Sequence, residues 1–222
     1  MNELLFFVTV VLCFSTTLLF YKLFGKTGLL IWIAIATITA NIQTVKLVNL
    51  FGIESALGNV LYASSFLTTD ILNEKYGKKA ALKALYIGFA SMIAMTLFMS
   101  LALIYTPSAS DFANESLNLI FSLNIRITIA SVLGYGFSQL CDTYLFQYLK
   151  GKKVYLWIRN NVSTMISQII DTLVFVLVSY VGLVDINTLI AMMISMYVFK
   201  FVIAILDTPF MYLSRKIKPM EE

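Results

Sequence analysis

The chain has no histidine, two cysteines, three prolines and few charges. Without histidine it lacks both a common metal ligand and the usual neutral-pH proton carrier. Cys13 and Cys141 stand alone in apolar segments, so no zinc spacing or disulfide framework can be built from them. No P-loop glycine pattern occurs, and any use of ATP would fall to a partner chain. Charged residues make up 13% of 222, against about 25% in soluble domains. Apolar residues fill the difference: 59% are hydrophobic, and the mean hydropathy is +0.86. This balance excludes a sizeable soluble domain. It indicates an all-α, polytopic membrane helix bundle, with residues 1–222 forming a single integral membrane domain. The net charge is +4, but the basic residues sit in short loops. That pattern is a topology signal rather than a nucleic-acid patch. The first segment lacks a basic n-region and a small-residue cleavage site and is read as retained.

About 20 apolar residues span a bilayer as a helix. Seven segments qualify, at roughly 4–21, 28–48, 56–74, 80–106, 124–150, 160–182 and 187–213. A six-span version, with the first segment lying on the membrane, is the alternative. The third is the weakest, carrying Asn59, Ser64, Ser65, Thr68, Thr69 and Asp70, and a re-entrant or broken helix is its alternative reading. Basic residues follow alternate segments: Lys22 and Lys26, then Lys75 to Lys83, then Lys150 to Arg159, then Arg215 to Lys218. The intervening loops hold Glu54, Asp111, Glu115 and Asp185. The positive-inside rule then predicts an external N-terminus and a cytoplasmic C-terminus. Gly77 and Gly151 are expected to stop the third and fifth helices, and Pro107 the fourth. Residues 111–122 form a short amphipathic segment expected at the outer surface.

Ionisable groups inside a membrane are costly and usually face a partner or a wet cavity. Asp171 lies roughly 15 Å in from the cytoplasmic end of its segment, Asp142 roughly 12 Å and Lys200 about 20 Å, at 1.5 Å per residue. Two carboxylates and an ammonium thus occupy neighbouring layers near mid-membrane, where opposite charges stabilise one another and where carriers hold their solutes. The pattern S-Q-x-x-D-T-x-x-F occurs twice, at Ser138–Phe146 and 29 residues later at Ser167–Phe175. In each copy the glutamine and aspartate are three apart and share a helix face. Such faces either bracket a carrier's site or join helices through hydrogen bonds. Asp70 and Glu74 lie one turn apart. Glu74 reads equally as a site residue or as a solvated helix end bridging to Lys75 or Lys78. Arg126 and Arg159 begin segments and are either snorkelling anchors or functional. Arg159 leads into Asn160, Asn161, Ser163 and Thr164, a polar helix start with free backbone donors. Asn41 lies within the second segment. The candidate substrate-binding set is therefore Asn41, Asp70, Glu74, Gln139, Asp142, Arg159, Ser163, Gln168, Asp171 and Lys200.

The runs L-T-T-D-I-L-N-E-K-Y-G-K-K-A, S-Q-L-C-D-T-Y-L-F and L-W-I-R-N-N-V-S-T-M-I-S-Q-I-I-D-T-L-V-F resemble the queuosine precursor transporters of bacterial inner membranes. The resemblance covers residues 40–213. It implies import of 7-cyano- or 7-aminomethyl-7-deazaguanine, and it points to Asp70, Glu74, Tyr76, Gly77, Gln139, Asp142, Arg159, Ser163, Thr164, Gln168 and Asp171. A deazaguanine presents adjacent N–H donors, which a carboxylate accepts in pairs, and a carbonyl that a glutamine can serve. Tyr144, Phe146 or Phe175 could stack on the ring. The partners implied are this small-molecule base, membrane lipid and, as an open alternative, a second copy in a homodimer. No cofactor or nucleic acid is implied. The competing functions are a substrate-binding subunit of an ATPase-driven importer and an integral-membrane enzyme. The enzyme reading lacks a metal cluster and a nucleophile–base pair.

Overall fold

The structure is a computed structural model that describes residues 1–121, 125–182 and 185–220, with backbone alone at 47, 53–56 and 125–128. Glu54 and Arg126 therefore lie outside the described side chains. The described chain is helical apart from one hairpin: α1 (Asn2–Thr44), β1 (Leu47–Leu50), β2 (Ile53–Ala56), α2 (Asn59–Tyr76), α3 (Lys78–Ala102), α4 (Asn114–Phe121), α5 (Ile125–Gly151), α6 (Leu156–Tyr180) and α7 (Ile186–Lys216). Four of these, α1, α3, α6 and α7, are long and apolar enough to cross a membrane.

Helix α1 is two limbs rather than one rod. Gly25 takes φ 54°, ψ −135°, a region open to glycine but not to other residues at low cost. The chain reverses there. A straight helix would separate residues 2 and 44 by about 63 Å, yet Asn2 Nδ2 donates to the Asn49 carbonyl at 3.1 Å. The turn is tight enough that a Cβ on Gly28 would stand 2.0 Å from the Phe20 carbonyl oxygen. The limbs match the first two predicted segments. The first limb buries Phe6, Val10, Phe14 and Tyr21 in the core, so it belongs to the bundle rather than lying across it.

Two expectations need correction. The second segment was expected to reach residue 48, but the helix ends at Thr44 and residues 47–56 pair as an antiparallel hairpin. Its turn has Phe51 and Gly52 at φ 52° and 79°. Asn-Gly is the usual signature of such a turn, so Phe-Gly gave little warning. The helix of the fourth segment, α3, ends at Ala102, five residues before the proline expected to stop it. Gly77, with φ 79°, does separate α2 from α3.

Polarity is inside out. The face of α6 bearing Asn160, Ser163, Thr164, Ser167, Gln168 and Asp171 is buried, whereas Ile166, Ile169, Leu173 and Leu177 are exposed. The first set follows i, i+3, i+4, i+7, i+8, i+11, one continuous helical face. An apolar exterior with a polar interior suits lipid as the surrounding solvent.

The basic segments gather at one end of the bundle. Met220 N–H donates to the Lys22 carbonyl at 2.8 Å. Lys75 reaches the Arg215 carbonyl at 3.2 Å, and Lys150 reaches Glu74. The N-terminus lies at the other end, beside the hairpin.

Candidate functional site

At the hairpin end a cavity of about 560 Å³ opens between α1, α2, α5, α6 and α7. Its charged lining residues are Asp171 and Lys200. They form an ion pair, and Lys200 Nζ also reaches Thr172 Oγ1 at 3.3 Å. The Tyr62 hydroxyl donates to Asp171 Oδ1 at 3.0 Å. Asp171 is 5% exposed and Lys200 4%, so the pair sits at the bottom of the cavity. Tyr62, Tyr135 and Phe175 supply aromatic wall, with the two tyrosine rings 5.2 Å apart. Thr37, Asn41, Asn59, Ser131 and Ser195 add polar groups.

The sequence builds this floor by spacing. On α6, Asp171 and Phe175 are one turn apart; on α7, Met192, Met196 and Lys200 repeat every four residues. Both rows therefore face the cavity. α5 packs most extensively on α6. Gly134 permits the approach, since a Cβ there would stand 2.9 Å from Asp171 Oδ1 and 3.2 Å from the Asp171 carbonyl.

Behind the cavity lies a fully buried polar seam. Gln139 donates to Ser65 Oγ at 3.2 Å and accepts from Thr69 Oγ1 at 3.1 Å, tying α5 to α2. Asp142 accepts from Ser167 at 3.3 Å. Asp207 accepts from Asn160 Nδ2 at 2.6 Å. Asp70 faces both carboxylates, and neither of its oxygens meets a donor with hydrogen-bond geometry. Ser163 donates to the Asn160 carbonyl at 3.3 Å. Gln168 is 2% exposed, and its Oε1 has no partner.

At the basic end a single carboxylate holds three cations. Glu74 lies 2.5 Å from Arg159, 2.5 Å from Arg215 and 3.3 Å from Lys150. Lys150 also donates to the Asn73 and Glu74 carbonyls at the open end of α2, at 3.2 and 2.5 Å. The Arg159 guanidinium lies over Phe146, 5.3 Å from the ring centroid.

The ten candidate residues thus divide into tiers. Asn41, Asp171 and Lys200 line the cavity. Asp70, Gln139, Asp142, Ser163 and Gln168 lie in the seam, off the cavity surface. Glu74 and Arg159 meet at the far end. Of the two readings of Glu74, the bridge to Lys75 or Lys78 is replaced by ion pairs to residues of α5, α6 and α7. Of the three proposed stacking rings only Phe175 lines the cavity. Phe146 is buried against Arg159, and Tyr144 lies outside under Lys78. Sequence reasoning missed Tyr62, Tyr135 and Asp207. A signal for Asp207 exists: the dipeptide Asp-Thr recurs at 142, 171 and 207, once in each of the last three helices.

An apolar-coated helix bundle with a charged cavity at one end and a sealed ionic cluster at the other is built to pass a solute through a membrane. The chain belongs to the family described as "putative vitamin uptake transporter", whose pattern matches residues 56–214. It is 39% identical over 214 residues to the "probable queuosine precursor transporter" of Bacillus subtilis, covering 94% of this chain and 93% of that one. It is 27% identical over 158 residues to the "queuosine precursor transporter" of Escherichia coli, covering 68% of each. A Haemophilus influenzae relative named as the first is 27% identical over 144 residues, 64% of this chain and 59% of that one. No solved structure matches the chain. The protein is a multi-pass membrane transporter, not an enzyme.

Proposed function

We propose that the chain imports a queuosine precursor, a 7-substituted 7-deazaguanine, across a bacterial cytoplasmic membrane by alternating access. In this reading seven helical segments span the bilayer, and the basic end faces the cytoplasm. The cavity mouth then opens outward. Its volume of about 560 Å³ falls within the roughly 300–1,000 Å³ common for small-molecule sites. The observation that carries the reading is the bonding state of Asp171. Tyr62 occupies one lone pair of Oδ1 and Lys200 one of Oδ2. A carboxylate offers about four acceptor positions. One remains on each oxygen, which suits the adjacent N–H donors of a guanine-type edge. Phe175, Tyr62 and Tyr135 supply stacking surface for the flat ring. The test is rescue of queuosine-modified tRNA in a strain that neither makes nor imports the precursor, with single bases supplied outside. Rescue is expected; its absence with every 7-deazaguanine, despite protein in the membrane, removes the reading.

The pocket's charge also selects between bases. Among the described residues Asp171 is the one carboxylate lining it, and Lys200 already neutralises that charge. An aminomethyl ammonium would be desolvated beside Lys200 with no carboxylate of its own. The neutral cyano base meets no such penalty. Unlabelled 7-cyano-7-deazaguanine is therefore expected to compete for uptake at least about tenfold better than the aminomethyl base, a difference of about 1.4 kcal/mol. Equal competition would show that a second anion is present in the working site.

Gly134 gives a steric test of the same floor. Gly134→Val is expected to abolish uptake and Gly134→Ala to reduce it, with protein still reaching the membrane. An added Cβ, 2.9 Å from Asp171 Oδ1, must displace the carboxylate. Normal uptake by Gly134→Val would separate Asp171 from the transport step.

A further inference from the structure

We propose that Asp70, Asp142 and Asp207, on α2, α5 and α7, form a proton-binding site that couples solute import to the proton gradient. The three carboxylates are 0%, 0% and 2% exposed. Asp142 interacts with both of the others. Among the described residues none of the three forms an ion pair. The nearby cations are engaged elsewhere, Lys200 with Asp171 and Arg159 with Glu74. Helix α6 contributes Asn160, Ser163, Thr164 and Ser167, all neutral, and α5 adds the Cys141 thiol beside Asp142. The α1 limbs carry no acid or base between Glu3 and Lys22 or between Lys26 and Lys46. Three like charges without a counter-ion cannot share a dry site, so protons must occupy it.

A second observation points to a ligand rather than to packing alone. The Thr164 hydroxyl, on a side chain 2% exposed, faces Asp70 and Asp142 without closing a hydrogen bond. Beside it both oxygens of Asp70 are also open. Fully buried polar atoms rarely go unmatched, and a proton on a carboxyl oxygen supplies the missing donor. A multivalent metal ion is a poorer occupant. Among the described residues no group of acidic or thiol ligands has a metal-binding arrangement.

The site also has a route to the cavity. Tyr62 bonds Asp171 at the floor and interacts with Ser138. Ser138 lies one helical turn from Asp142 on the same face. A proton entering from outside forms an O–H bond on one carboxylate. It returns to cytoplasmic water when the basic end opens, and the carboxylate is regenerated. No other reactant is needed.

The coupling rests on the transporter reading, so the test has an arm that does not. In purified full-length protein, infrared titration is expected to reveal protonated carboxyl C=O bands at neutral pH. Asp142→Asn and Asp70→Asn should each remove intensity from them. Absence of any protonated carboxyl at neutral pH overturns the site whatever the protein carries. In proteoliposomes, wild-type protein is expected to accumulate 7-cyano-7-deazaguanine about tenfold per pH unit of inward proton gradient for each proton carried. Asp70→Asn and Asp142→Asn are expected to keep solute counterflow but lose that accumulation. Counterflow without gradient-driven accumulation in wild type, or gradient-driven accumulation retained in both variants, overturns the coupling. Absence of counterflow with every 7-deazaguanine indicts the substrate reading, and the infrared arm then decides the site.

Discussion

Asp171→Asn is expected to abolish uptake and to destabilise the protein together, and the two effects can be separated. The substitution removes the negative half of an ion pair whose members are 5% and 4% exposed. Removing one partner of a buried pair costs about 3–5 kcal/mol, because it leaves an uncompensated charge away from water. Asn also replaces one acceptor oxygen by a donor, so the paired N–H groups of the base meet a mismatch. The double variant Asp171→Asn/Lys200→Met removes the stranded ammonium. It is expected to recover most of the thermal stability in detergent without recovering uptake. If Asp171 were only structural, restored stability would bring uptake back. If uptake survives in Asp171→Asn alone, the cavity floor is not where the solute binds.

The different surroundings of Asp171 and Asp142 could not be seen in the sequence. The two aspartates stand at equivalent positions of one nine-residue pattern. Sequence spacing gives the face of a helix but not its neighbour. In the fold, Asp171 meets Lys200 of α7, whereas Asp142 meets Asp70 of α2 and Asp207 of α7. The segments themselves were legible, because about 20 apolar residues between basic or glycine-bearing turns leave few alternatives. The Asp171–Lys200 pair was foreshadowed by depth alone. The hairpin was not, since residues 49–55 read as a loop between two segments and Phe-Gly is not the usual hairpin turn. Nor was the role of Glu74. Its cations come from three helices up to 141 residues away, and no local rule reaches that far. Arg159 stood out by the polar helix start it leads into; in the fold its guanidinium meets Glu74.

That meeting gives the second large expected effect. Glu74 joins the end of α2 to the end of α5, the start of α6 and the end of α7. If solute leaves at the basic end, this cluster must part on each cycle. Its strength is concentrated in one arm. Lys150 and Arg215 have side chains 30% and 45% exposed, so solvent screens them and each adds little. Arg159 is 7% exposed against Glu74 at 10%, the one tightly enclosed contact. Glu74→Gln leaves three cations facing one another, and breaking the enclosed arm is expected to cost about 3 kcal/mol, the low end for buried pairs. Because the seal is lost before the cavity floor is touched, the inward-open state should gain population. A cysteine introduced as Ser163→Cys, with Cys13 and Cys141 replaced by Ala, reports this, since position 163 is fully buried one turn above Arg159. In inside-out vesicles an impermeant thiol reagent is expected to modify it at least tenfold faster when Glu74→Gln is added. Exchanging the partners, Glu74→Arg with Arg159→Glu, keeps the same charges in the cluster and should slow the labelling again. Unchanged labelling in Glu74→Gln would mean that the basic end is held shut by packing, and the solute path would have to leave the bundle elsewhere.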